Sequence, residues 1–203
     1  MGMEFYGNSY KGNDEPIFVG IPTFLKLPWL RSHEELKSVK PDVAIIGEPF
    51  DFGTTIRPGA RYGPRAIRAA STVPSPPYEH FNIETGVDPF GVFRTVDYGD
   101  VNVSPGDVVE SHRRMTDKVK EVLDIDGIPV MLGGDHSITF ANVRAFAKKY
   151  KNIGMIHIDT HADCAPQGLC GFKYDHGAHI RRIMELGCLK GKNYTLIGPR
   201  GYW

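Results

Sequence analysis

Three short, almost uniformly apolar runs constrain this fold more than anything else in the chain: Asp42–Gly47, Ile128–Leu132 and Ile153–Ile158. A strand with one face in water alternates apolar and polar residues, whereas an unbroken apolar run fits a strand covered on both faces. The segments between these runs read as helices. Gly63–Ala70 carries Pro64 in its first turn, where proline is favourable. Asp107–Asp124 places Val108, Val109, Met115, Val119 and Val122 near one face. Ile138–Tyr150 has a stripe of Phe140, Val143 and Phe146, a further helix is expected over Gly177–Leu186, and Asn193–Ile197 reads as a last strand. Alternating strands and helices predict an α/β fold, a mostly parallel sheet between two helical layers.

The remaining segments are less regular. Residues 1–40 hold scattered proline, glycine and aromatics and are expected to form an arm, with the α/β domain over 41–203. Ser71–Pro105 is proline-rich and predicted to be extended, with a short edge strand over Val92–Val96.

The chain of 203 residues suits one buried domain. Its 24 basic and 24 acidic residues balance, so bulk charge argues for no nucleic-acid partner. No apolar run approaches the roughly 20 residues that span a bilayer. Cys164, Cys170 and Cys188 lack a zinc-type spacing and read as free thiols of a cytoplasmic protein. A Cys164–Cys170 disulfide is the other possibility.

Chemistry concentrates at two strand ends. The run Ile153–Ile156 continues into His157-Ile158-Asp159-Thr160-His161-Ala162-Asp163. In extended chain, residues two apart project to the same side. Asp159, His161 and Asp163 are therefore expected to converge, and two carboxylates with an imidazole suit a divalent transition metal. The preceding run ends in Gly133-Gly134-Asp135-His136-Ser137, and ligands in such folds bind beyond the carboxyl ends of strands. His136 is thus a fourth candidate ligand.

Each motif also has a structural reading. Asp135 and Ser137 are natural caps for the next helix, and paired glycines suit any tight turn. The coincidence of both motifs at neighbouring strand ends favours a metal site. His157, one step deeper in its strand, is expected to support the ligands from behind. His176 lies on the loop before a helix and could relay protons near neutral pH. His179 is expected in that helix, exposed or packed, while His80 and His112 receive no role. The loop Phe50–Arg65 follows another strand end. It lacks a phosphate-cradle spacing, and its arginines are expected to pair with carboxylates.

These blocks resemble the arginase/agmatinase (ureohydrolase) family. Arg57–Arg68 is similar to the family's early loop and helix, Gly133–Ser137 to its first metal motif, and Asp159–Asp163 to its Asp-Ala-His-x-Asp motif. Asp175-His176-Gly177 and Ile197–Gly201 fit the expected order. The resemblance runs from Asp42 onward and lies nearer agmatinase-like members. It implies a three-layer αβα fold and two divalent ions, most often manganese, with nickel as an alternative. His136 and Asp163 would hold one ion, His161 the other, and Asp159 would bridge them. Asp159 and His176, the latter matching a proton-relay histidine, would carry catalysis. The implied reaction converts a small guanidino compound to urea and an amine, by attack of a metal-bridging hydroxide. The family also implies trimers or hexamers.

One departure is large. The family's later Asp-x-Asp ligands have no counterpart after Asp163, and Asp124-Ile125-Asp126 lies upstream at a helix-to-strand turn. The resemblance therefore implies an N-terminal portion of a longer enzyme, truncated at its C-terminal side and inactive alone. Two other readings stay open: a related metal hydrolase of formimino or acetylated amines, and an inactive family relative acting as a binding subunit.

Overall fold

The computed structural model describes residues 18–72, 81–168 and 171–201, together with the backbone of 5–6 and 9–10. Seven strands and six α-helices are described, in the order β1 (Phe5–Tyr6), β2 (Ser9–Tyr10), α1 (His33–Val39), β3 (Val43–Glu48), α2 (Gly63–Ser71), α3 (Pro89–Val92), β4 (Thr95–Asp100), α4 (Val108–Asp124), β5 (Ile128–Gly133), α5 (Ile138–Lys149), β6 (Ile153–Ile158), α6 (His179–Glu185) and β7 (Leu189–Ile197). The fold is α/β, as the apolar runs predict.

The strands form two parallel sheets, ordered β4-β3-β5 and β6-β7, beside the small antiparallel pair β1-β2. Register pairs Val43 with both Thr95 and Ile128, so the strands of the larger sheet run level and end together. In the smaller sheet Ile158 pairs with Ile197. Among the described residues β5 and β6 do not pair, so their ends are brought together by helix packing rather than by a shared ladder.

Two apolar clusters supply that packing. In the larger, Ala44 and Ile46 of β3 and Val96 of β4 meet Leu36 of α1, Met115, Val119 and Val122 of α4, and Ala141 and Ala145 of α5. In the smaller, Phe140 of α5 meets Ile180 and Ile183 of α6 and Leu189 of β7, with Ile153 and Met155 of β6 against them. Burying each such Leu, Ile or Met contributes about 1.5–3 kcal/mol. Helix α5 belongs to both clusters, through Ala141 and Phe140 respectively. It thereby ties the end of β5 to the second sheet.

Two buried residues of the stretch 18–40 reach this core. Leu30 and Leu36 are fully buried within it, and the Leu30 N–H donates to the Asp97 carbonyl at 2.9 Å. Ser32 caps α1 by accepting from the Glu35 N–H, and Asp107 caps α4 by accepting from the Glu110 N–H.

Several expectations need correction. Strand β3 is buried on both faces, but β6 exposes Ile156 and Ile158, and β5 exposes Ile128 and Val130. The expected edge strand over Val92–Val96 lies at Thr95–Asp100, after the short helix Pro89–Val92. Asp97 and Asp100 sit inside that strand because Arg68 of α2 pairs with both. On α4, Val109 points to solvent while Ser111 and His112 are buried. Residues 73–80, with His80, lie outside the described set, as does Cys170 and hence any Cys164–Cys170 pairing.

Candidate metal centre

Beyond Gly133 the backbone must turn sharply into α5. Gly134 has φ +61°, and a Cβ there would stand 2.6 Å from the Glu48 carbonyl oxygen and 2.8 Å from that of Phe50. Only glycine lets the chain pass so close in this conformation. The buried Asp135 carboxylate then fixes the turn. It accepts from the Ser137 N–H at 2.8 Å and from the Gly53 N–H at 2.8 Å, tying the β5 end to the loop after β3. Burial raises the Asp135 pKa despite those bonds. The Asp135 side chain thus braces the turn into α5, whereas Ser137, the N-cap residue, makes no side-chain cap bond.

The turn delivers His136 to the β6 end. Its Nδ1 stands 3.0 Å from Asp163 Oδ2 and 3.2 Å from Asp159 Oδ2. The two motifs therefore meet, across strands that are not paired.

The convergence of 159–163 does not arise from strand alternation. Strand β6 ends at Ile158, and Asp163 adopts a left-handed φ of +48°. That turn folds Asp163 back beside Asp159, and its carbonyl accepts from the Ile180 N–H of α6 at 3.1 Å. His161 takes a different position: its side chain is about half exposed, with Nδ1 3.8 Å from Asp159 Oδ1. Its backbone N–H donates to Asp159 Oδ1 at 2.8 Å. Burial opposes ionisation of Asp159, but this bond and the histidines 136, 157 and 161 hold its pKa below the ordinary value.

Two further imidazoles complete the group. His136, His157, Asp163 and His179 each place one potential ligand atom within 4.8 Å of the others. The His157 Nδ1 is 2.7 Å from the Tyr194 hydroxyl, and its Nε2 is buried without a hydrogen-bond partner. His179 is 1% exposed, so the expectation for this residue resolves to the packed alternative. Its Nδ1 meets the His176 carbonyl at 2.9 Å, and its Nε2 likewise has no partner. Burial, with His136 beside it, lowers the His179 pKa to about 4 and that of His157 below normal. Both are neutral near pH 7, the form that binds a metal. Buried ring nitrogens rarely lack partners, so two of them beside an anionic carboxylate fit a divalent cation.

His176 stands on the same side of the fold. Its N–H donates to the Gly53 carbonyl at 3.0 Å and its Nε2 lies 3.0 Å from Thr55 Oγ1. Among the loop arginines, Arg61 pairs with the buried Asp51, its Nε 2.6 Å from Oδ1. Asp126 is far from this chemistry, held by Lys149.

Among the described residues, sequence reasoning left His112 without a role and His179 ambiguous between exposed and packed. His112 is buried against Phe50, Phe140 and Tyr174, its Nε2 3.4 Å from Ser137 Oγ. Its spacing of three and seven from Met115 and Val119 was the available signal. For His179 the signal was its spacing of four from Ile183.

Known proteins resemble this chain over most of its length. The family model described as "Arginase family" matches residues 41–203. A guanidinobutyrase of Pseudomonas aeruginosa is 38% identical over 189 residues, 93% of this chain and 57% of the relative. The crystal structure of a hypothetical agmatinase from Burkholderia thailandensis superposes with a TM-score of 0.80 at 29% identity, covering 98% of this chain and 59% of that one. A Trypanosoma cruzi formiminoglutamase with Mn2+ gives a TM-score of 0.72 at 27% identity, covering 89% and 58%. The chain thus spans little more than half the length of these matches.

Proposed function

This chain belongs to the arginase family, and from that premise we propose that it serves a divalent-metal hydrolase releasing urea from a small guanidino compound. The observation that carries the proposal is the meeting of His136 with Asp159 and Asp163 at the ends of β5 and β6. We assign His136 and Asp163 to one metal, Asp159 to a bridging position and His161 to a second metal. Manganese is our first choice of ion and nickel our second. Bound divalent ions would supply Lewis acidity and an ionised water near neutral pH.

The chain's own groups divide the remaining work. The carboxylates of Asp159 and Asp163 would offset part of the charge of the bound cations. His176 holds or releases a proton at Nε2, with Thr55 Oγ1 orienting the ring. We place the protein in a reducing, cytoplasmic setting, which the buried free thiol of Cys188 suits. The exposed Phe18 and Ile21 ahead of the core support our reading of a homo-oligomer, a trimer or hexamer.

A urea assay on the manganese- or nickel-loaded full-length protein tests this, with guanidinobutyrate, agmatine, other guanidino acids and guanidine as substrates. Urea from at least one is the expected result, and its absence from all would contradict the proposal. Similarity to the Trypanosoma cruzi formiminoglutamase favours a second reading, hydrolysis of a formimino group. Formamide and the parent amine without urea would select it.

A further inference from the structure

The group of four potential ligands differs in chemistry from the set the family resemblance implies. That set is carboxylate-rich, whereas His136, His157, Asp163 and His179 offer three imidazoles and one carboxylate within 4.8 Å. We propose that His179 is a metal ligand, and that with His136, His157 and Asp163 it makes the first of the two metal positions nitrogen-rich, favouring nickel, cobalt or zinc there over the manganese that the family resemblance alone suggests. The inference rests on the metal-centre reading above and assigns a residue that reading does not use.

The hydrogen bonding of His179 carries the argument. A carbonyl oxygen can only accept, so the 2.9 Å contact with the His176 carbonyl requires a proton on Nδ1. The lone pair then lies on Nε2, which is buried and has no partner. This is the arrangement usual for a ligating histidine, one nitrogen on a backbone carbonyl and the other free for the ion. The ring is held against its neighbours, its centroid 3.9 Å from His136 and 5.8 Å from His157. Nδ1 also stands 3.6 Å from Asp163 Oδ2. His157 likewise has a buried Nε2 without a hydrogen-bond partner, 3.6 Å from Asp159 Oδ2, while its Nδ1 meets the Tyr194 hydroxyl.

The packing explains why α6 can present this ring. Ile180 and Ile183 anchor the helix in the smaller apolar cluster. The Ile180 N–H bonds the Asp163 carbonyl, so the helix start and the carboxylate turn are fixed to each other. Ligand type then sets preference: imidazole suits nickel, cobalt and zinc, whereas carboxylate and water suit manganese.

The test compares the wild-type chain with His179→Asn and His179→Phe. Asparagine can still donate to the His176 carbonyl but lacks the second nitrogen, and phenylalanine keeps the ring volume. Competitive binding of Co2+, Ni2+ and Mn2+ is followed by elemental analysis, the Co2+ visible spectrum and apo-protein melting. We expect wild type to prefer Co2+ and Ni2+, with a Co2+ spectrum that changes in both variants. Both should lose Co2+ affinity by more than the roughly 10–100-fold that removal of an outer hydrogen-bond partner costs. His179→Asn should melt in the apo form near the wild-type temperature. Unchanged Co2+ affinity and spectrum in a folded His179→Asn would overturn the inference and leave the metal centre standing. Absence of bound metal in wild type would instead overturn the reading on which it rests.

Discussion

Glu48 offers a test of how the β5 turn is held against β3. It is fully buried at the end of β3, where Asn142 Nδ2 of α5 donates to its Oε2 at 2.9 Å. Glu48 Oε1 and Asn142 Oδ1 both lack partners. If Glu48 were ionised, both would be acceptors, whereas protonation turns the carboxyl into a donor. Burial, only partly offset by Asn142, raises its pKa from 4.5 to about 8. Because the folded-state value is the higher, unfolding releases this proton between pH 4.5 and 8. The stability it contributes is therefore complete below pH 4.5 and is lost as pH rises to 8. At about 1.4 kcal/mol per pH unit, the whole effect is on the order of 5 kcal/mol. Glu48→Gln keeps an acceptor for Asn142 and stays neutral throughout. Urea denaturation of both proteins from pH 5 to pH 9 should show the variant gaining on wild type by several kcal/mol, with the gap levelling above pH 8. Parallel profiles would refute the reasoning, because they would mean that Glu48 titrates alike in both states.

Other perturbations probe different links. Arg68→Ala should destabilise by about 3–5 kcal/mol in chemical denaturation. It would leave Asp97, which the guanidinium meets at 2.7 and 2.9 Å, buried without its cation. Gly134→Ala should cost about 1–3 kcal/mol from its left-handed conformation and crowding by two carbonyls, and calorimetric melting checks it. Asp135→Asn should loosen the His136 turn and lower metal affinity about 10–100-fold, read by metal titration. His161→Ala should keep the first equivalent of metal and lose the second, because His161 lies outside the gathered group.

Much of this architecture was legible in the residues, for physical reasons. The apolar runs became β3, β5 and β6 within one or two residues, because short apolar runs bounded by glycine and polar residues suit strands; of the three, only β3 is covered on both faces. Strand β4 was misplaced because the local pattern around Asp97 and Asp100 looks polar. Their partner, Arg68, comes from a helix about thirty residues away, and a pairing of that range has no local signature. His136, Asp159 and Asp163 were legible as candidate ligands because each follows a strand, and strand ends are where such folds bind. The manner of their meeting was not, because alternation stops at Ile158 and a left-handed residue completes the turn. His179 stayed ambiguous since its burial depends on how α6 seats against α5 and the second sheet.

Elemental analysis gives the central claim its most direct test. Wild type and the double variant His136→Asn/Asp163→Asn are loaded with Mn2+, Ni2+ or Co2+, dialysed and assayed for bound metal. The account predicts about one equivalent or more of at least one metal in wild type and almost none in the folded double variant. Equal metal contents in the two proteins would contradict it.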